Sequence, residues 1–373
     1  MTRLAFRPLA HLTRIYLNPG LVLAAAACAM NLLAAAPAQA AEHPFDPVPV
    51  ITDWLLPRYD SLQEKALAQK DAWTRFCAAP AAEGLPALQT AYGETADAWN
   101  AVEFITFGPI SQDLRADRFS FFPDRRNAIA RSVSDLISDQ SDNRLSAEHF
   151  AQTSAAGQGL PALERLLYEK NSAEALVSGK DAVQRCALGV AIATNLATIA
   201  TDVRTGWGDS KSGALGAIVS GKGDPALFPD TNALGGMILT DLSGAYQRVT
   251  DTKLLPVLGD GPDVARPKLA DSWRSDRSGR VIANIIKSSD DLLRTIAKQM
   301  PSRPQWVVDR AAKASDAAAD KLPADIGAAA ETASGAAALH DAIKTFKTCQ
   351  LTVYRPMASY FGISLGFNAL DGD

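Results

Sequence analysis

The spacing of apolar residues is the feature that most constrains the fold of this chain. In residues 85–106 and again in residues 281–300, apolar side chains recur at steps of three and four, which is the period of one face of an α-helix. Residues 187–200 and 311–338 are rich in alanine, the residue with the highest helix propensity. Series of short β-branched or aromatic runs between tight turns do not occur, so we expect an all-α fold.

Two breaks in the helical spacing suggest how the chain is divided. Residues 206–229 carry six glycines and two prolines, and residues 255–267 are rich in glycine, proline and aspartate. The first break falls near the middle of the chain once a leader is removed. We therefore expect two helical-bundle domains, an N-terminal bundle at 41–205 and a C-terminal bundle at 206–373.

The first forty residues have the composition of a secretory signal peptide. Arg3, Arg7 and Arg14 precede an apolar run, and the segment closes on the small-x-small site Ala38-Gln39-Ala40. This order of basic, apolar and small-residue regions predicts export and a mature chain that begins at Ala41. We expect the protein to be in the periplasm.

Two other fates of this segment remain open. A retained membrane anchor is disfavoured because Asn31 interrupts the apolar run short of the roughly 20 residues that span a bilayer. Cys28 allows a lipoprotein, but only alanines stand directly before it. No later stretch has the composition of a membrane span, so we do not expect an integral membrane protein.

The charge of the mature chain excludes one class of partner. Removal of residues 1–40 takes away three of the 37 basic residues and none of the 41 acidic ones, which leaves 34 against 41, a net charge of −7. An acidic protein offers no general attraction to phosphate backbones, so we expect no nucleic-acid partner.

Three cysteines follow the leader, namely Cys77, Cys186 and Cys349. In an oxidising compartment two of them can pair, which leaves one free thiol. We favour a disulfide between Cys77 and Cys186, because both lie in the predicted N-terminal bundle.

The motifs of the common enzyme classes are missing from the sequence. The mature histidines, His43, His149 and His340, are isolated and form no metal-binding pair. No nucleophile elbow, Walker loop or dinucleotide-binding glycine pattern is present.

Polar residues in apolar surroundings are the remaining candidates for a site. Glu103 shares a helical stripe with Tyr92 and Trp99, where a carboxylate must be paired, bind a ligand or keep its proton. Asp124 and Arg125 belong to a following loop in which aromatic and charged residues alternate densely. An internal salt-bridge network that stabilises this loop is the alternative to a binding site.

A second candidate is Glu164, in the segment Gly-Leu-Pro-Ala-Leu-Glu that begins at Gly159. Pro161 suits the first turn of a helix, and a carboxylate near a helix start is favoured by the helix dipole. By itself, Glu164 could be an ordinary helix-terminal charge.

Four segments in the same order resemble the imelysin family, whose members are also called M75 peptidases. These are the segment from Ala98-Trp99 to Phe107-Gly108-Pro109, the run Phe121-Phe122-Pro123-Asp124-Arg125, the Gly-Leu-Pro-Ala-Leu-Glu segment, and the ending from Gly366 to Asp373. The resemblance implies an all-helical protein of two bundle-like domains, exported to the periplasm or envelope and linked to iron uptake, with a site between the domains.

The chain departs from the family at its hallmark, Gly-x-His-x-x-Glu. Gly159 and Glu164 match, but Pro161 stands in the place of the histidine. The resemblance implies Gly159 as a turn and Glu164 as a carboxylate that faces the cleft, with iron or another divalent metal as the cofactor. The missing histidine weakens the peptidase assignment.

These observations lead to one hypothesis about the site and three about function. We expect Glu103, Asp124, Arg125 and Glu164 to converge on a polar cleft between the bundles, with Arg125 paired to one acid; two unrelated structural ion pairs are the alternative. The favoured function is a non-catalytic periplasmic binding or accessory protein of an iron-uptake system, with other envelope iron-uptake components as partners. The alternatives are an M75-type metallopeptidase that uses Glu164 and a structural partner of an outer-membrane or electron-transfer protein.

Overall fold

The computed structural model describes residues 43–124, 126–139, 141, 143–224 and 226–363. The predicted signal peptide and its cleavage site, Arg125, and the ending from Gly366 to Asp373 lie outside the described residues.

The first half of the described chain is a series of helices joined by short turns. A one-turn helix continues through a π-helical stretch, Ile51–Leu55, into the long helix that follows it. The helices are α1 (Pro47–Val50), α2 (Leu56–Ala78), α3 (Leu85–Asn100), α4 (Arg115–Phe119), α5 (Ala128–Ser138), α6 (Ala147–Phe150), α7 (Leu160–Tyr168), α8 (Ser172–Val177) and α9 (Ala182–Trp207).

The second half is also helical and contains a second π-helical stretch, Arg248–Leu254, together with several 3₁₀ turns between residues 262 and 275. Its helices are α10 (Gly213–Val219), α11 (Thr231–Gln247), α12 (Leu255–Leu258), α13 (Ser278–Ala297), α14 (Ser302–Ala319), α15 (Ile326–Ala330) and α16 (Ala333–Tyr360). The all-α prediction is confirmed, because the described residues form helices and turns without a β-sheet.

Two groups of long helices supply the core. In the first, α2 packs between α3 and α9, and Gly189 of α9 lies so close to Trp73 of α2 that an added Cβ would stand 2.1 Å from the indole ring. In the second, α13, α14, α11 and α16 pack around apolar side chains from α13 such as Ile285 and Leu293.

The two groups also contact each other. Helix α3 packs against α13, and α7 contacts the 3₁₀ turn Trp273–Ser275. The described residues from 43 onward belong to one compact unit. The predicted division into domains at 41–205 and 206–373 stays a prediction.

One predicted helix ends earlier than its apolar spacing suggests. Helix α3 stops at Asn100, so Glu103 lies in the turn that follows. In this turn the backbone is wound more tightly than in an α-helix, because Val102 and Ile105 donate to carbonyls three residues earlier. Thr106 then donates both its N–H and its hydroxyl to the carboxylate of Asp241, at 2.6 Å each. These tertiary hydrogen bonds end the helix where apolar periodicity alone continues it.

A disulfide joins Cys77 of α2 to Cys186 of α9, the pair that the sequence analysis favoured, with a Cα–Cα distance of 5.6 Å. Cys349 is a buried free thiol. The bridge closes a loop with a separation of 109 residues, which corresponds to about 4 to 5 kcal/mol in the chain-entropy treatment.

Helix α9 is the one helix, among the described residues, that is long and apolar enough to cross a membrane. The prediction that no later stretch has the composition of a membrane span is therefore wrong for this helix. Its most apolar stretch is 67% buried within the protein. It packs in the core against α2 and α7.

Candidate functional site

A cavity of about 940 Å³ opens where α3 and α7 meet the segment 251–274. Such a volume lies in the range of small-molecule sites. Aromatic rings and prolines form much of its wall, and charged side chains are interspersed among them. The aromatic and proline residues are Tyr92, Trp99, Phe122, Pro123, Pro161, Pro256, Pro267 and Trp273.

Glu164 lies at this cavity and is 3% exposed. Its Oε1 accepts hydrogen bonds from the N–H and the hydroxyl of Ser275, at 3.0 and 2.7 Å, and its Oε2 lies 4.0 Å from Nη1 of Arg274. Burial raises the pKa of Glu164 to about 7; the charge of Asp271 adds to the rise and the Ser275 hydrogen bonds oppose it. Glu164 therefore gains or loses a proton near neutral pH.

The two other positions of the hallmark segment have structural roles. Gly159 precedes α7, and a Cβ there would stand 2.5 Å from the carbonyl oxygen of Phe119, so only glycine allows this approach of two backbones. Pro161 lies in the first turn of α7 and lines the cavity. The position that is histidine in the family hallmark thus faces the same cavity as Glu164.

Glu103 belongs to a buried cluster beside this cavity. Lys253, which is 2% exposed, places its Nζ 2.9 Å from Glu103 Oε1 and 2.5 Å from Asp271 Oδ2, and 4.5 Å from the centre of the Phe122 ring. Burial alone would lower the pKa of Lys253, but the carboxylates of Asp271 and Glu103 outweigh it and raise that pKa. Lys253 is therefore a permanent cation between two acids.

This cluster connects the main cavity to a smaller one. Glu103 and Lys253 line an adjoining cavity of about 240 Å³, whereas Asp271 lines the large one, and the two cavities share the side chains of Trp99 and Phe122.

Asp124 lines the large cavity, but its oxygens are engaged by the backbone. Oδ1 accepts from Ala128 N–H at 2.7 Å and Oδ2 accepts from Ile129 N–H at 3.1 Å. Asp124 thus caps the first turn of α5.

The structure brings three of the predicted residues to this region. Asp124 and Glu164 face one cavity, and Glu103 reaches it through Lys253 and Asp271. Among the described residues, the cation that pairs with Glu103 is Lys253, and the predicted pairing of Arg125 with one of the acids stays a prediction. Of Arg125 nothing is described.

The acids of the large cavity already have protein partners. Asp124, Glu164 and Asp271 are held as described above, and Asp251 lies 3.0 Å from Nζ of Lys347. Each of these carboxylates therefore has at least one hydrogen-bond or ion-pair partner within the protein.

The cations of the cavity are less completely paired. Arg266, Lys268 and Arg274 line the cavity. Among the described residues, only Arg274 of these three has an acid within 4.0 Å. The guanidinium of Arg274 lies over the Trp273 ring at 4.3 Å, and Lys268 lies 5.8 Å from the same ring. The cavity therefore offers free positive charge beside an aromatic surface.

The donors at Glu164 do not fit a metal ion held by the protein. A catalytic metal usually takes three protein ligands, and the described residues contain no group of three His, Cys, Asp or Glu side chains placed to hold one. The three described histidines are exposed, and Pro161 supplies no donor at the hallmark position.

Sequence reasoning did not identify three parts of the site, namely Lys253, Asp271 and the stretch Trp273–Ser275. A signal was present: residues 271–277 mix tryptophan with acidic and basic residues, as the loop around Asp124 does. A lysine directly before an apolar run, as at Lys253, gives no sign of burial, because exposed lysines occupy such positions equally well.

Comparison with known proteins agrees with this fold. The Imelysin family (Peptidase_M75) matches residues 55–351. A search of curated proteins found no match.

Two crystal structures share the fold. One is an imelysin-like protein from Psychrobacter arcticum 273-4, with 18% identity, a TM-score of 0.65, and coverage of 85% of this chain and 95% of that one. The other bears the name "putative iron-regulated protein A precursor" and is from Parabacteroides distasonis ATCC 8503; it has 15% identity, a TM-score of 0.64, and coverage of 83% and 94%. Since the family match spans most of the chain, this protein belongs to the imelysin family.

Proposed function

We propose that this protein is an exported, non-catalytic binding protein of an iron-uptake system, and that its ligand is an anionic iron chelate held in the 940 Å³ cavity. The observation that carries the proposal is the charge of this cavity. Each of its four acids has a hydrogen-bond or ion-pair partner within the protein. Among the described residues, Arg266 and Lys268 have no acid within 4.0 Å, and Arg274 meets Glu164 only at 4.0 Å.

The aromatic wall supports the same class of ligand. Trp273 lies under Arg274 and near Lys268, so a flat, negatively charged group could contact the ring and pair with a cation. Ferric complexes of carboxylates and catecholates combine these properties. The iron would enter as cargo within its chelator, which does not require a set of protein ligands.

The link to iron rests on the family of this chain and on the name of one protein that shares its fold. The chain is an imelysin, and one protein with the same fold carries the name of an iron-regulated protein. Other iron-uptake components of the envelope are the partners that this role implies.

Export and location follow from the predicted signal peptide. Sequencing the N-terminus of protein recovered from a periplasmic extract should give Ala41 as the first residue. A lipid-modified Cys28, or an intact leader in the membrane fraction, would overturn this part of the proposal.

Calorimetric titration of the mature protein tests the ligand class. We expect heat of binding with ferric citrate or ferric 2,3-dihydroxybenzoate, and weaker binding of the iron-free acids. Arg274→Gln should weaken chelate binding by about tenfold, the size of one charge-assisted contact. Arg303→Gln removes an exposed arginine outside the cavity and should change nothing. If the ferric chelate binds Arg274→Gln as tightly as Arg303→Gln, the assignment of the binding site to this cavity is wrong.

A peptidase assay separates the metallopeptidase alternative. Glu164, with a pKa near 7, has the proton affinity of a general base, so this alternative predicts cleavage that a chelator and Glu164→Gln both abolish. We expect no cleavage with or without added zinc or iron. Chelator-sensitive cleavage that is lost in Glu164→Gln would establish the peptidase instead.

A further inference from the structure

A second cavity, of about 640 Å³, is lined mainly by side chains of α9, most of them apolar. We propose that this groove binds a long-chain carboxylic acid, with the acyl chain along α9 and the carboxylate at Arg118. The inference is independent of the proposed function, because this groove shares no lining residue with the cavity at Glu164.

The shape of the groove follows from α9. Its lining residues recur at steps of three and four from Ala182 to Thr198, so they form one stripe along about 24 Å of helix at 1.5 Å per residue. Outside α9, the apolar side chains of Leu145, Phe150 and Val177 also line the groove. An elongated groove of this kind suits an extended chain better than a compact ligand.

The exposed part of α9 gives the groove its apolar character. This helix is as apolar as a membrane span, yet part of its surface is left uncovered. Val183, which lines the groove, is 86% exposed, and Ala187 is exposed beside it. An apolar ligand in the groove would cover these side chains and remove their surface from water.

Polarity changes along the stripe. Near Val183 the lining is aliphatic, whereas the other end carries the hydroxyls of Thr194 and Thr198, the amide of Asn195 and the guanidinium of Arg118. This gradient matches a molecule that is apolar over most of its length and charged at one end.

Arg118 supplies the charge that selects the head group. Its Nε donates to Gln158 Oε1 at 2.8 Å and its Nη2 donates to Asn195 Oδ1 at 2.7 Å, and both acceptors are neutral amides. Among the described residues no carboxylate lies within salt-bridge distance of Arg118.

The two acids whose charges act on Arg118 contact another arginine, Arg115. Asp113 and Asp202 lie 3.5 and 3.9 Å from Nη2 of Arg115. Burial lowers the pKa of Arg118, but a guanidinium still keeps its proton at neutral pH. A carboxylate that reaches this end would complete a charge-assisted pair.

Binding of cis-parinaric acid, whose fluorescence rises in apolar sites, tests the proposal on the mature protein. We expect saturable binding that palmitate displaces, and at least about tenfold weaker displacement by hexadecanol, which lacks the carboxylate. Arg118→Gln should weaken palmitate about tenfold and leave hexadecanol unchanged. Equal displacement by the acid and the alcohol would overturn the role of Arg118.

A second pair of variants covers the case in which Arg118→Gln fails to fold. Ala187→Trp fills the groove from an exposed position and should abolish binding, whereas Ala314→Trp, at an exposed position on α14, should not. Binding that survives Ala187→Trp would overturn the site. Pull-down by phosphatidylglycerol vesicles without binding of free palmitate would show a membrane-docking surface instead, and would also overturn the proposal.

Discussion

Lys253 is the residue whose environment most restricts what may replace it. Two carboxylates and an aromatic ring surround its ammonium, and the side chain is 2% exposed. A buried pair contributes little net stability, but removal of one partner leaves an uncompensated charge in a medium of low polarity.

Lys253→Met should therefore destabilise the protein by about 3–5 kcal/mol in urea unfolding. Adding Glu103→Gln and Asp271→Asn to this variant should recover part of the lost stability, because these changes remove the two buried negative charges that the lysine no longer compensates. Lys268→Met provides the control, since Lys268 is exposed and has no ion-pair partner in the described part of the chain. A small effect at Lys253, equal to that at Lys268, would contradict the buried charge cluster.

Asp290 is a second buried acid, remote from the cavity. It accepts a hydrogen bond from the hydroxyl of Tyr246 and lies 3.9 Å from Sγ of Cys349. The charge of a second acid, Asp316, also acts on Asp290. Asp316 is itself ion-paired, because its Oδ2 lies 2.6 Å from Nη2 of Arg294. Burial raises the pKa of Asp290 to about 8, and the charge of Asp316 adds to the rise.

This raised pKa predicts how stability depends on pH. An unfolded aspartate releases its proton near pH 4, whereas folded Asp290 keeps it up to about pH 8. Between these values the folded state binds more protons, so stability falls as pH rises, by about 1.4 kcal/mol per pH unit for one group. Urea unfolding between pH 5 and 7 should show at least this slope, and Asp290→Asn should reduce the slope by about 1.4 kcal/mol per pH unit.

Other buried acids add to the same trend. Burial raises the pKa values of Glu164 and Asp241 to about 7, so the Asp290 variant should retain part of the pH dependence. Asp341→Asn, at an exposed position on α16, should leave the slope of the wild type unchanged. If the stability of Asp290→Asn depends on pH as steeply as that of the wild type, Asp290 is ionised in the folded protein and the prediction is wrong.

At the scale of the element, the close approach of α2 and α9 depends on one missing side chain. The Cβ of an alanine at 189 would stand 2.1 Å from the Trp73 ring, whereas one at Gly244 of α11 would meet nothing within 4 Å. Gly189→Ala should cost about 1–3 kcal/mol through overpacking. Gly244→Ala should stabilise by up to about 1 kcal/mol through helix propensity. Thermal unfolding of both variants tests this, and shifts of the same sign would contradict the packing.

The helices themselves could be predicted from the sequence more fully than their ends. Apolar spacing predicted α13, and the alanine content of residues 187–200 predicted part of α9. The same spacing predicted that α3 continues past Asn100 to Glu103. The helix ends earlier because Thr106 donates to Asp241, which lies 135 residues further along the chain. Local pattern contains no information about such a distant partner.

The site could be predicted in part, for a similar reason. Glu164 and Asp124 stood out as acids among apolar neighbours, and both line the cavity. Lys253, Arg274 and Ser275 come from the other half of the chain and complete the site only through tertiary folding. Their roles depend on distances to Glu103 and Glu164 that the sequence does not specify.

At the scale of the whole molecule, many polar contacts cross the predicted domain boundary between residues 205 and 206. Asp97 of α3 lies 2.5 Å from Arg277 and 2.7 Å from Arg280, and it accepts from Asn284 at 2.8 Å. The indole N–H of Trp54 donates to the carbonyl of Ser288 at 3.1 Å. The contacts of Glu164 with Ser275 and of Glu103 with Lys253 cross the same boundary.

These contacts predict that the mature protein unfolds in one cooperative transition. If one half unfolded alone, Glu103, Asp97 and Glu164 would lose the partners that compensate their partial or complete burial, which opposes an intermediate with one half folded. Calorimetry should therefore give a single peak whose van't Hoff and calorimetric enthalpies agree. Asp97→Ala, which removes three of the crossing contacts, should bring the protein closer to two transitions, whereas Asp341→Ala should not. Two well-separated peaks in the wild type would show that the two bundles are independent domains.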